Sequence, residues 1–200
     1  AIPAAFEEKV HGMLHQLSMP HARIRVDIAD LPNLSPTGAD DVQFLFASNV
    51  GSRYLPIKDV ASGGELSRLT LCTKSLVADA IPLPTLIFDE IDSGISGDVS
   101  MKMGVILKEL STRHQVISIT HTPQIAARAD AHYFVYKKVA ENRTITNIRL
   151  LEPEDRVRSI AVMLSGNPPS DSALPSPSPP WSSATAAICW WRNTRPKACG

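Results

Sequence analysis

The run Thr85-Leu86-Ile87-Phe88 carries no charge and no polar–apolar alternation, and it ends on two carboxylates, Asp89 and Glu90. A continuous apolar run suits a strand covered on both faces, as in a parallel sheet with helices packed on it. Pro82 and Pro84 stand before the run and Gly94 after it, so it is a short strand and not a helix segment. Val116-Ile117-Ser118-Ile119 repeats the pattern and ends on Thr120-His121. Between them Val99, Met103, Ile106, Leu107 and Leu110 recur at helical spacing. Before them a helix is predicted over Gly63–Ala80, with Leu66, Leu69, Thr73, Leu76, Val77 and Ala80 on one face. After them come a short helix from Pro123 to Ala129, then two strands, Tyr133–Lys137 and Thr144–Leu151, joined through Glu141-Asn142-Arg143. A last helix opens at Pro153 and carries Val157, Ile160, Ala161 and Leu164. Helix and strand in alternation predict an α/β fold with a mostly parallel sheet flanked by helices.

The first sixty residues read differently. Residues 4–18 carry Ala5, Phe6, Val10, Met13, Leu14 and Leu17 at helical spacing, and Pro20 stops the helix. Residues 22–29 alternate Ile24, Val26 and Ile28 with Arg23, Arg25 and Asp27, and Val42–Ser48 alternates Val42, Phe44 and Phe46. Both are period-two strands, separated by a loop with Pro32, Asn33, Pro36 and Gly38. A small antiparallel β element near the N-terminus is the expectation.

Composition excludes several classes. The 200 residues hold 20 Lys+Arg against 20 Asp+Glu, which leaves neither a basic mantle nor an acidic tail. A hydrophobic share of 44% supports a core. No run approaches the roughly 20 apolar residues of a membrane helix, and a cytoplasmic setting is expected. The first residue is Ala1, which suggests a fragment or a processed start. The end is compositionally foreign: all three Trp, two of the three Cys (Cys189 and Cys199) and the run Pro175-Ser176-Pro177-Ser178-Pro179-Pro180 lie in 167–200. Repeated Pro blocks regular structure, so 167–200 is expected to be irregular and foreign to the fold, by a frameshifted or vector-derived end or, alternatively, as a native linker to a docking peptide. Cys72 stands alone in the periodic part and reads as a buried, inert thiol.

Ligands of open parallel sheets sit beyond the carboxyl ends of the strands, and both apolar strands end there on functional side chains. Asp89 can hold Mg²⁺ and Glu90 can accept a proton from, or orient, an attacking water; acidic pairs also end strands as plain solvated turns. His121 can donate to a phosphate oxygen, or merely precede the Pro123 helix. Ser62-Gly63-Gly64-Glu65 opens the long helix, where glycines allow close approach and free N–H groups attract phosphate. Ser-x-x-Glu is equally a capping box, and the two readings are compatible. Asp92-Ser93-Gly94 is either turn chemistry or a contact to a partner.

Taken in order, Ser62-Gly63-Gly64-Glu65, Leu86-Ile87-Phe88-Asp89-Glu90, Asp92-Ser93-Gly94 and Ile119-Thr120-His121 resemble the signature motif, Walker B, D-loop and H-loop of the distal half of an ABC-type ATPase head. The flanking residues, Ala61 through Ala80, Phe88 through Gly97 and Ile117 through Ala129, resemble the RecN family of bacterial SMC-like DNA-repair ATPases, over roughly residues 1–170. The resemblance implies a P-loop NTPase-like carboxyl-terminal lobe over 21–166, the end of a coiled-coil arm over 1–20, and ATP and Mg²⁺ as ligands. It implies Asp89 on the metal, Glu90 as the base and His121 on the γ-phosphate. Ser62, Gly63 and Gly64, with Glu65 completing the motif, would act on ATP held by the opposite protomer, and Asp92 would lie at the dimer seam. The implied partners are an amino-terminal Walker A lobe, a second head and DNA, in a cytoplasmic, nucleoid-associated setting. No Gly-x-x-x-x-Gly-Lys-Ser/Thr occurs, because no Gly precedes a Lys in the chain. The chain alone is therefore expected to bind ATP poorly and to hydrolyse none measurably. A lobe of another ABC-type ATPase, such as a transporter motor or another SMC-like head, and a non-catalytic dimerisation lobe are the competing readings.

Overall fold

A computed structural model describes residues 2–60, 62–81, 83–95, 97–140, 143–165 and 186–191. The chain forms two compact units, divided after Ile81.

In the first unit helix α1 (Ile2–Gln16) is followed by strands β1 (Arg23–Ser35), β2 (Gly38–Ala47) and β3 (Leu55–Pro56), a short helix α2 (Ile57–Val60) and the long helix α3 (Gly63–Ala80). The strands form an antiparallel sheet in the order β1-β2-β3. Ile24 pairs with Phe46, Val26 with Phe44 and Ile28 with Val42, so the predicted apolar stripes meet across the ladder. Only the Ile24–Phe46 end is buried; Ile28, Val42 and Phe44 are exposed, because α1 covers just one end of the ribbon. β1 runs on through Pro32, which was expected to lie in a loop. The register shifts between Asp30 and Ser35, and a proline without an N–H is tolerated at such an irregularity. Val10, Leu14 and Leu17 are buried at the centre of the unit, where α1 packs on β1 and α3. Glu7 Oε1 accepts the Val26 N–H at 2.7 Å and His11 Nε2 accepts the Ile24 N–H at 2.9 Å, tying α1 to β1.

Helix α3 has its predicted bounds but buries a different stripe. Gly64, Leu69, Leu71, Cys72, Ser75 and Ala78 are buried, whereas Leu66 and Val77 are exposed. The helix carries apolar residues on two adjacent stripes, and which one is covered depends on the partner, not on periodicity. Cys72 is fully buried, and burial pushes its thiol up to about 12, in line with an inert thiol.

The second unit contains β4 (Thr85–Asp89), α4 (Gly97–Leu110), β5 (Gln115–Thr120), α5 (Pro123–Ala126), β6 (Ala131–Ala140), β7 (Arg143–Leu150), α6 (Pro153–Ser165) and β8 (Ala186–Trp191). Its sheet has the order β4-β5-β8-β6-β7. β4 and β5 are parallel; β8 is antiparallel to both β5 and β6, and β7 is antiparallel to β6. The sheet is therefore mixed, with β4, β5 and β6 running one way and β7 and β8 the other. One face is covered: Leu86, Phe88, Val116, Ser118, His132, Phe134, Cys189 and Trp191 are buried on it. Val99, Met103, Ile106, Leu107 and Leu110 of α4 are buried as the spacing predicts. α5 and the turn after it pack on α4 closely enough that a Cβ on Gly104 would meet the Gln124 carbonyl at 3.4 Å and Arg128 Cδ at 2.7 Å.

Three elements depart from what their apolar residues or composition suggest. The apolar strand β4 is not covered on both faces, since Ile87 is 57% exposed; among the described residues, helices pack on one face alone. Helix α6 has no buried residue, with Val157 and Leu164 exposed; it is held instead by the Arg149–Asp155 pair at 2.8 Å and by Arg156, which donates to the carbonyls of Ala126, Ala127 and Ala129. Third, six residues of the expected irregular tail form β8. The alternation Ala187, Cys189, Trp191 inward and Ile188, Trp190 outward is strand patterning, concealed in the sequence by the proline-rich stretch before it. The other residues of that tail, 167–185 and 192–200, and Glu141-Asn142 lie outside the described residues.

His132 is buried, and neither ring nitrogen has a hydrogen-bond partner among the described residues. Burial, with a smaller contribution from the Arg156 guanidinium, pulls it from 6.5 down to about 4. The folded chain keeps this ring neutral while the unfolded chain protonates it. Stability therefore falls as pH drops from 6.5 toward 4, by up to about 1.4 kcal/mol per pH unit for this group. Burial also holds His11 low, so it adds in the same direction. Urea unfolding midpoints are expected to decline over this window, and His132→Leu to flatten part of the decline. An unchanged pH slope in His132→Leu contradicts this assignment.

Candidate functional site

Parallel pairing of β4 with β5 sets Asp89 opposite Ile119, so both strands end at one level. The Glu90 N–H extends the ladder by donating to the Ile119 carbonyl at 3.0 Å, and the Glu90 carbonyl accepts from Ser93 N–H at 3.1 Å. Between these bonds Glu90 adopts φ +47, a left-handed conformation unusual for a residue with a Cβ. Such a conformation costs about 1–3 kcal/mol and persists only where the surroundings enforce it. The turn closes through Gly94, at φ +71, where glycine carries no such cost. Asp89 and Glu90 are both exposed, on a rigid strand end and a hydrogen-bonded turn.

Asp92, expected at a seam between two copies, is buried, at 1% exposure. Its Oδ2 accepts from the hydroxyls of both Thr120 and Thr122, and Thr122 N–H donates in turn to Thr120 Oγ1 at 3.0 Å. Its Oδ1 is buried without a hydrogen-bond partner among the described residues. A carboxylate this enclosed is spent within its own chain. It ties the turn after β4 to the segment after β5 and brackets His121, whose Nδ1 lies 3.6 Å from Asp92 Oδ2 while the side chain stays 62% exposed. Thr120 and Thr122 are the residues that sequence reasoning missed here. The signal was a hydroxyl on either side of His121, together with an Asp two residues beyond Glu90.

Ser62, Gly63, Gly64 and Glu65 lie in the first unit, at the start of α3. Both halves of the capping box are present: Glu65 N–H donates to Ser62 Oγ at 3.4 Å, and Ser62 N–H donates to Glu65 Oε2 at 2.9 Å. The cap leaves the N–H groups of Gly63 and Gly64 without a helical acceptor. A Cβ on Gly63 would meet nothing within 4 Å, so packing inside the chain gives no reason for glycine there. Ser93 and Gly94 lie in the turn, where the Ser93 N–H donates to the Glu90 carbonyl. The structure thus brings Asp89, Glu90, Asp92 and His121 to one strand-end cluster and keeps the Ser-Gly-Gly-Glu helix start in the other unit. No helix among the described residues is long and apolar enough to cross a membrane.

No family model matches the chain. It is 42% identical over 164 residues to the DNA repair protein RecN of Deinococcus radiodurans, covering 82% of this chain and 28% of that protein. It is 39% identical over 168 residues to RecN of Haemophilus influenzae, covering 84% and 30%, and 39% identical over 180 residues to RecN of Treponema pallidum, covering 87% and 31%. The chain thus spans about three tenths of the length of these relatives. Among solved structures, an Smc head domain with a coiled coil and joint from Pyrococcus yayanosii superposes with a TM-score of 0.58 at 21% identity, covering 78% of this chain and 28% of that one. A chain from work on ATP-driven dimerization and DNA-stimulated activation of SMC ATPases superposes at 0.52 and 19% identity, covering 77% of this chain and 88% of that one. This chain is therefore RecN-like in sequence over more than four fifths of its length, and it has the fold of part of an SMC head.

Proposed function

We propose that this chain is the carboxyl-terminal lobe of an SMC-like ATPase head acting in recombinational repair of DNA double-strand breaks. The observation that supports it most is the cluster of Asp89, Glu90 and His121 at the carboxyl ends of two paired parallel strands, in a chain so similar to RecN. The substrate is ATP. Asp89 is an exposed hard-oxygen donor on a rigid strand end, which suits Mg²⁺, an ion that takes one or two protein carboxylates and completes its shell with water and phosphate oxygens. When bound, the ion offsets the charge of the phosphates. Glu90 takes the proton of the attacking water, and its fixed turn holds the carboxylate at one place. His121 donates from its exposed ring to a γ-phosphate oxygen. Ser62, Gly63 and Gly64 offer hydroxyl and N–H donors to the γ-phosphate of ATP held by a second head, with Glu65 keeping the cap in shape. Asp92 acts through its threonines, as a residue that positions His121.

In this reading residues 21–166 are the lobe, α1 continues a coiled-coil arm, and the working unit is a pair of heads, each completed by an amino-terminal Walker A lobe, acting on DNA in the cytoplasm at the nucleoid. Lys and Arg form no basic stripe interleaved with aromatics in the sequence, so DNA contact belongs to the assembled pair and its arms.

Turnover tests the reading. Purified alone, the chain is expected to show no measurable ATP hydrolysis. Joined to an amino-terminal lobe it hydrolyses ATP with Mg²⁺, and Glu90→Gln lowers the rate at least about 100-fold. Robust Glu90-dependent hydrolysis by the chain alone, or indifference of the joined protein to Glu90→Gln, refutes it. Asp92→Ala leaves two threonine hydroxyls without their acceptor and is expected to cost about 1–3 kcal/mol, read as a lower urea midpoint; an unchanged midpoint removes Asp92 from its bracing role.

A further inference from the structure

Past the helix that packs on it, the β1–β2 ribbon carries an open edge and an apolar face that ends on facing carboxylates. His11 Nε2 accepts the Ile24 N–H at 2.9 Å and Glu7 Oε1 accepts the Val26 N–H at 2.7 Å, so both N–H groups point away from β2. Along an antiparallel ladder every second residue turns its N–H and C=O to the same side. Ile28 and Asp30, in register with Val42 and Asp40, therefore present theirs on that outer edge, where no described residue bonds to them. Side chains two residues apart share a face, so Val26, Ile28 and Asp30 lie beside Phe44, Val42 and Asp40. Ile28, Val42 and Phe44 are 53%, 47% and 45% exposed, a stripe left half in water. It stops on Asp30 and Asp40, directly opposite each other, where like charges repel. The other two Asp of the ribbon are engaged, Asp27 with Arg25 at 2.9 Å and Asp41 with Gln43 at 3.0 Å. Asp30 and Asp40 are exposed and have no hydrogen bond or ion pair among the described residues.

We infer that this edge and face take up an extended, basic segment of another protein, added to β1 as an outer strand. Its apolar side chain lies beside Ile28, and a Lys or Arg two residues away lies beside Asp30. Strand addition draws affinity from main-chain bonds and selectivity from alternate side chains. Charge fixes the kind of partner. A cation relieves the repulsion between Asp30 and Asp40, whereas an acidic segment or a nucleic-acid backbone adds to it. A second copy pairing edge to edge through β1 would bring two such carboxylate pairs together, so the occupant is not this chain. Pro32 and the register shift after Asp30 end the usable edge, which keeps the contact short and reversible. The surface belongs to the first unit and uses none of the residues proposed for ATP, so it stands or falls apart from that reading.

Peptide titration of the full 200-residue chain, read by fluorescence anisotropy and by amide hydrogen exchange, is the test. The probe is a labelled Thr-Val-Thr-Ile-Thr-Lys-Thr-Arg peptide, and its control carries Glu in place of Lys and Arg. The basic peptide is expected to bind at least about tenfold tighter than the acidic one. In its complex the Ile28 and Asp30 amides gain protection, while those of Ile24 and Val26, already bonded, keep theirs. Asp30→Asn combined with Asp40→Asn, two exposed changes, is expected to weaken the basic peptide about fivefold and to flatten its salt dependence. N-methylation of alternate peptide amides, tried in both phases, is expected to abolish binding in one phase and spare it in the other, as bonding along a single edge requires. Equal binding of the two peptides, no protection gained at Ile28 and Asp30, equal effects of the two methylation phases, or unchanged binding by the double variant each overturns the proposal. Protection of both amides before peptide is added overturns it too, since a dimer then holds the edge. So does protection of the equivalent amides in the whole Deinococcus radiodurans relative without peptide, since its own chain then holds the edge.

Discussion

The register of β4 on β5 is the constraint from which the site follows. Two strands of different origin in the chain end at one level because Asp89 lies opposite Ile119 and the ladder is carried one residue further by Glu90. A shift by one residue would exchange inward and outward side chains on β4, burying Ile87 in place of Phe88 and moving both carboxylates off their level. Phe88 and Leu86, both buried, hold the register on the covered face; the Asp92 carboxylate, gripped by Thr120 and Thr122, holds it from the loop side. A buried carboxyl group with one oxygen doubly engaged and the other without a partner among the described residues is costly to create. Its presence makes sense as a brace that admits one arrangement of the two strand ends.

That brace separates two kinds of residue. Asp89, Glu90 and His121 present exposed side chains, whereas Asp92, Thr120 and Thr122 are buried and bond to one another. The left-handed Glu90 belongs to both groups: its backbone is clamped by two hydrogen bonds while its carboxylate stays in solvent. Strain held by a hydrogen-bonded turn at an exposed carboxylate is a cost the fold has no reason to bear for its own stability.

Much of this was legible from residues alone. Chain order, the bounds of α3, the core face of α4 and the strand-end positions of Asp89, Glu90 and His121 follow from periodicity and from where apolar runs stop. The faces of α3 and β4 did not follow, because periodicity reports that a stripe exists and tertiary partners decide whether it is covered; Leu66, Val77 and Ile87 are apolar and exposed. The burial of Asp92 did not follow either, for a related reason. An Asp-Ser-Gly turn reads as surface chemistry, and the hydroxyls that bury its carboxylate come from 28 and 30 residues away. No local pattern announces a brace closed over that distance.

β8 shows the opposite failure. Composition set residues 186–191 aside with their proline-rich neighbours, yet six residues that alternate Ala187, Cys189 and Trp191 with Ile188 and Trp190 satisfy every backbone requirement of a strand. Main-chain pairing asks only for extended geometry and free N–H and C=O groups; it does not ask whether the segment suits its place. Side chains ask that question, and the row Ser118–Cys189–His132 answers it. Trp191 fits, since its Nε1 donates to the Arg128 carbonyl at 3.0 Å and its ring is fully buried. Cys189 does not, for the polar groups on either side of it have no partner among the described residues. Burial of one large aromatic offsets the loss of a few hydrogen bonds by a margin of only kcal/mol order.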